Sequence, residues 1–151
     1  MKQMKKCPAN FRLYKDKCIY AESENSKMSY KEAQNYCAKR GSIVLPIKDG
    51  ATYLFVKRWS KSNALENLYI GMNFSTSLQI PLYSDKTNYQ KGSSYDFDGS
   101  SDKFGDRECV YLKKSISHKP RSTDCTVPMH FLCLWKGTYH TFINNCIHLN
   151  N

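Results

Sequence analysis

Seven cysteines stand at positions 7, 18, 37, 109, 125, 133 and 146 of a 151-residue chain. No two are spaced as Cys-x-x-Cys, so neither a zinc ribbon nor a dithiol redox motif is indicated, and the density is high for a reducing compartment. A disulfide framework is the reading that fits, although spacing alone does not choose among the pairings that six cysteines allow. Such a framework implies an oxidising environment. The opening Met1 to Lys6 has no apolar segment of the kind that starts a signal peptide, and no run approaches the roughly 20 apolar residues of a membrane helix. The expectation is an extracellular protein, either a mature secreted form or the ectodomain of a membrane or viral-envelope protein, with its anchor outside these residues.

The length suits one domain, and 40% hydrophobic residues with 20 aromatic side chains supply a core. The formal charge of +10 invites acidic partners, yet the lysines are spread along the chain rather than blocked, as on a solvated surface. No helix-turn-helix, finger or ribonucleoprotein motif accompanies the charge, so nucleic acid is not an expected partner. Histidines 118, 130, 140 and 148 are scattered, and neither a nucleophile motif nor a phosphate-cradling glycine loop occurs. A zinc site from His140, Cys146 and His148 lacks an obvious fourth ligand. No enzymatic activity is expected.

Along the chain, residues 7–20 read as a hairpin around Lys15-Asp16-Lys17. Ser29-Tyr30-Lys31-Glu32 fits a capping box and predicts a helix from about Tyr30, with Tyr30, Ala33 and Cys37 as its apolar stripe and Gly41 as its stop. After the short apolar run Ile43 to Ile47, Asp49-Gly50 precedes a second helical pattern with Ala51, Leu54, Phe55 and Trp59 on one stripe. Leu68 to Met72, Cys109 to Leu112 and Met129 to Leu134 read as buried strands. Residues 73–108 form a long polar, turn-rich segment, and a connection of that length in a compact domain is commonly functional.

Cys7-Pro8, Phe11 and Cys18, then SYKEAQNYC (Ser29 to Cys37), Tyr69-Ile70-Gly71, Cys109-Val110, Cys125 and Phe131-Leu132-Cys133 together resemble a long-form C-type lectin-like domain over residues 7–135. This leaves residues 1–6 as an N-terminal stub and 136–151 as a C-terminal tail. The resemblance implies an α+β fold of two helices with two small antiparallel sheets and a long loop region, stapled by disulfides. It further implies the pairs Cys37 to Cys133, Cys109 to Cys125 and Cys7 to Cys18, leaving Cys146 unpaired or intermolecular.

Sugar binding in that family rests on calcium ligands from a Glu-Pro-Asn or Gln-Pro-Asp tripeptide, an acidic residue two before the third framework cysteine, and a Trp-Asn-Asp before the fourth. Here the tripeptide is missing, with Gln79-Ile80-Pro81 a displaced echo. Arg107 stands two before Cys109, and Arg121 and Ser122 replace the Asn-Asp pair. No cofactor is therefore expected. An alternative calcium site would use Asp96, Asp98, Asp102, Asp106 and Glu108, since calcium takes 6 to 8 oxygen ligands.

The expected function is recognition of a protein partner without calcium. Its surface would be the long loop, with Tyr83, Tyr89, Tyr95 and Phe104 as anchors and Phe97 as a core residue, together with a basic loop carrying Lys113, Lys114, His118, Lys119 and Arg121. The alternative is a cell-surface glycan, held by the atypical calcium site or by basic side chains gripping a sulfated polymer. Asn73-Phe74-Ser75 is the one glycosylation sequon, directly after the Ile-Gly strand. A homodimer through Cys146 predicts a dimeric band in non-reducing electrophoresis that collapses with reductant, whereas monomer alone with one titratable thiol would contradict it.

Overall fold

The computed structural model describes residues 7–21, 26–75, 80–88 and 109–137. Its N-terminal hairpin pairs β1 (Phe11–Tyr14) with β2 (Lys17–Ala21). Lys15 takes a positive φ of 52° in the tight turn between them, and Cys7, ahead of β1, is joined to Cys18 of β2. Helix α1 (Tyr30–Ala38) begins where the capping box places it, because the Ser29 hydroxyl accepts from Glu32 N while the Glu32 carboxylate accepts from Ser29 N. Its buried stripe is Tyr30, Ala33 and Cys37, and Gly41 supplies the left-handed residue after its end, at φ 64°.

Helix α2 (Gly50–Ser62) is capped by Asp49, whose carboxylate accepts from Thr52 N at 2.7 Å. That hydrogen bond and the nearby Lys17 and Lys15 charges hold the Asp49 carboxyl below its ordinary range. The helix forms where its periodicity predicts, and Phe55 and Trp59 of the expected stripe pack partly buried against the core, but the most buried line is rotated from it. Thr52, Val56 and Ser60 are its buried residues, while Ala51 is exposed and Leu54 stands half open to solvent. The hairpin dictates this rotation. Tyr14 stacks on Phe55 at 4.0 Å and donates to the Ala51 carbonyl, and Lys17 Nζ donates to the Thr52 hydroxyl.

The remaining strands are β3 (Ser42–Val44), β4 (Leu68–Ser75), β5 (Ile80–Tyr83), β6 (Cys109–Lys113), β7 (Lys119–Thr123) and β8 (His130–Trp135). They order as β1-β2-β8-β4-β6-β7, with β3 also on β8 and β5 also on β4. The two antiparallel groups expected from the resemblance are thus joined through one parallel contact, Leu68 opposite His130 and Tyr69 opposite Phe131, making the sheet mixed. Strand β8 is the hub, pairing with β2, β3 and β4. One apolar cluster, with Val56, Leu68, Ile70 and Leu112 at its centre, packs under α2. The other, with Tyr30, Cys37, Tyr69 and Phe131, packs under α1. Cys37 is bonded to Cys133 and Cys109 to Cys125, as the resemblance implies.

The Ile-Gly element has a steric cause. Gly71 N donates to Leu45 O and Gly71 O accepts from Ser84 N, both at 2.8 Å, so two chain segments close on this residue. A Cβ there would overlap the Val44 carbonyl oxygen and Ser84 Oγ and stand 2.9 Å from Pro46 N. Gly71→Ala should therefore destabilise the domain by about 3 kcal/mol, the upper end of ordinary overpacking costs, read as a drop in denaturation midpoint. Loop closure also ranks the bridges. Replacing Cys37 and Cys133, separated by 96 residues, with alanine should cost about 4 to 5 kcal/mol, against about 3 for Cys7 and Cys18, measured by the same denaturation.

Candidate recognition surface

The basic segment 113–121 is only partly a loop. It comprises the end of β6, a connection made of a 3-10 turn at Lys114–Ile116 and the turn residues Ser117 and His118, and the first three residues of β7. Lys113 lies opposite Lys119 and Tyr111 opposite Arg121 in the antiparallel register, so these four residues share one face of the edge hairpin. Lys114 and Lys119 are exposed, Lys113 and Arg121 half-buried. The turn is tied to the start of β4 because Lys114 N donates to Asn67 Oδ1 at 3.1 Å. Beside it Lys27 pairs with Glu66 at 2.9 Å, and this pairing holds the Glu66 carboxyl below its ordinary range.

Two residues expected as contact side chains are placed otherwise. Tyr83 is 4% exposed and belongs to the core under α2. Lys48 Nζ covers its ring at 5.3 Å from the centroid, and Lys48 pairs in turn with Asp85. Burial on the inner side of β5 is the physical reason that Tyr83 cannot serve as an exposed anchor. His118 is 2% exposed, since the left-handed Ser117 and His118, at φ 60° and 57°, fold the turn inward beneath α2. Its carbonyl accepts from the Tyr53 hydroxyl at 2.7 Å.

Asn73 is also not in a loop. Strand β4 runs through to Ser75, and Asn73 is half-buried between Leu82 of β5 and Cys109 of β6. Tyr89, Tyr95, Phe97, Phe104, the acidic set Asp96, Asp98, Asp102, Asp106 and Glu108, Arg107 and Cys146 lie outside the described residues.

The positions that resemble a calcium site can be tested on β7. Arg121 Nη1 donates to the Pro120 carbonyl at 2.8 Å, and Ser122 is 8% exposed. A guanidinium and a buried hydroxyl do not form a hard-oxygen donor set, so these two residues do not fit calcium. The displaced Ile80-Pro81 echo is part of β5, opposite Ser75 and Phe74. Elsewhere, a groove of about 450 Å³ opens between α1, β3 and the turn after β5, bordered by Gln34, Ser84, Lys86 and Lys136.

Sequence reading missed the contribution of α2 to the basic surface. Tyr53, Lys57 and Lys61 recur every four residues, a spacing that puts them on one helix face, and Lys57 Nζ lies 5.4 Å from the Tyr53 ring centroid. Burial first, and then the Lys57, Lys61 and Lys114 charges, hold the His118 imidazole below its ordinary pKa, with the Leu65 main chain acting in the opposite sense. Burial and Lys27 lower His130 likewise, against the opposing charge of Glu66.

A base with a depressed folded-state pKa binds its proton more readily when unfolded. Its stabilising contribution is complete above the unfolded value of about 6.5 and is lost as pH falls below that value towards the folded-state pKa. The melting temperature should therefore fall between pH 7.5 and 5.5, and fall less in His118→Gln. An identical pH profile in the variant would show that His118 carries none of this dependence.

Comparison with known proteins fits this architecture. The sequence profile of the family described as "Lectin C-type domain" matches residues 26–134. Human Collectin-10 is 26% identical over 133 residues, 88% of this chain and 47% of the relative, so the chain spans about half the length of the curated relatives it matches. The C-type lectin domain of murine dendritic cell inhibitory receptor 2, solved in complex with N-glycan, superposes with a TM-score of 0.71 at 21% identity, covering 87% of this chain and all of that one. Human lithostathine gives the same TM-score at 20% identity with the same coverage of both chains. The domain match, the three bridges and the two-helix mixed sheet together establish that this chain belongs to the C-type lectin domain family.

Proposed function

We propose that the domain is a non-enzymatic extracellular recognition module that binds a protein partner without calcium, through the long loop and the β6–β7 hairpin. The observation that carries this reading is the replacement on β7, where Arg121 and Ser122 occupy the positions at which the family resemblance would place calcium-binding oxygens. A cation at a cation's binding position removes the local field that such a site requires. Exposed Lys114 and Lys119 and half-buried Lys113 beside them give the hairpin a single-sign edge suited to steering an acidic partner surface. The disulfide framework supports an extracellular setting. Among the described residues, no helix is long and apolar enough to cross a membrane.

Membership of a family described as lectins favours one second reading, sugar binding. A glycan array probed in millimolar calcium and again in chelator separates the two. The protein-partner reading predicts no chelator-sensitive binding to neutral sugars. Neutral-sugar binding that disappears in chelator would overturn it.

A further inference from the structure

Helix α2 and the β6–β7 turn meet at a buried imidazole, and this junction has the composition of an anion site. Lys57 and Lys61 lie one turn apart on α2, whose Tyr53 hydroxyl reaches the His118 carbonyl, and Lys114 begins the turn that carries His118; the charges of all three disfavour the protonated imidazole. Lys61 and Lys114 are exposed and Lys57 is half-buried. Among the described residues, none of the three takes part in an ion pair; Glu66, the acid that feels Lys114, is bonded to Lys27.

His118, in the turn, is 2% exposed; neither ring nitrogen has a well-formed hydrogen bond, and the Leu65 main chain is the one polar group that favours its protonated form. A buried polar ring left in the field of three like charges is a costly arrangement. The junction is also fixed in place. Tyr53 OH donates to the His118 carbonyl, Lys57 lies over the Tyr53 ring, and Lys114 N donates to Asn67. The lysines are therefore held on two braced elements rather than on a free loop.

We infer that the α2 and β6–β7 junction is a binding site for a sulfated polysaccharide, with Lys57, Lys61 and Lys114 contacting successive sulfate groups beside His118. Ammonium groups are compact point charges that suit oxyanions presented along a chain. Tyr53, the aromatic at the junction, is occupied by Lys57 on its face and by His118 at its hydroxyl, so it offers no platform for stacking nucleobases. A disulfide-bonded protein also meets sulfated polysaccharides where nucleic acid is scarce. The inference is separate from the calcium question, because none of its residues lies at the β7 ligand positions. Bound sulfate would offset the lysine field on His118 and let the ring take up a proton, so affinity should rise as pH falls.

The test uses the oxidised full chain and a heparin-derived oligosaccharide, measured by calorimetry at two salt concentrations. Lys57→Gln, Lys61→Gln and Lys114→Gln combined should weaken binding by at least about 10-fold and flatten its salt dependence, while Lys31→Gln with Lys39→Gln, exposed on and just after α1, should change it less than about 2-fold. Melting temperatures of both variants verify the fold. The parent should bind more tightly at pH 6 than at pH 7.5, and the triple variant should not. Equal loss in the two variants, or no binding by the parent, would overturn the site. Equal capture of an oligo-dT of matched charge, lost with the same three lysines, would overturn its assignment to a polysaccharide.

Discussion

The bond between Cys37 and Cys133 fixes the geometry on which the rest of the fold is built. It joins the last turn of α1 to β8, the strand that carries β2, β3 and β4 along its length. Because β8 is near the chain's end and α1 near its beginning, this crosslink removes the largest share of disorder from the unfolded chain. Around it the cores are set. Tyr36 packs edge-on against Phe131 and Tyr30 against Tyr69, and the Tyr69 hydroxyl donates to the Val127 carbonyl, so the segment leading into β8 is held from the α1 side. On the opposite face, Leu45 N donates to Leu132 O while Leu45 O accepts from Gly71 N. The chain after β3 thereby bridges the hub strand to β4, and Gly71 lacks a side chain because that bridge occupies its space.

Features carried by local chemistry were legible in the sequence. The Ser29–Glu32 capping box, the Asp49 cap, Gly41 and the Lys15 hairpin turn each follow from groups within a few residues of one another, and the structure has all of them. Strands β5 and β7 were not legible, and proline is the physical reason. Pro81 and Pro120 lack an amide donor and argue against a strand interior, yet among the described residues both belong to strands that pair with one other strand, β5 on β4 and β7 on β6, where a missing donor costs little. The face of α2 was half legible, because its rotation also depends on Tyr14, which is far away in sequence and stacks on Phe55. Of the expected stripe, Phe55 and Trp59 pack against the core while Ala51 and Leu54 are left to solvent.

The candidate surface was partly legible for the same reason. Charge at 113–121 is visible in the sequence, but the burial of His118 and Tyr83 depends on how a turn and a strand pack against α2 and β4. The presence of Lys57 and Lys61 beside that turn could be suspected from their spacing, though only the Tyr53 hydrogen bond to His118 shows which helix face meets it. The framework of bridges and core contacts is thus kept in the family's form, while the edge hairpin that would complete a metal site carries cations. In this fold the scaffold and the surface can change separately, and function has to be argued from the surface.

Calorimetric titration of calcium into the oxidised protein, paired with melting curves in calcium and in chelator, distinguishes a calcium-free recognition surface from a metal site. A calcium-independent surface predicts no binding heat and coincident melting curves at millimolar calcium. A saturable heat with a raised melting temperature, both lost in Asp98→Ala and Asp102→Ala, would contradict it, because only a ligand bound to the folded state shifts the transition in this way.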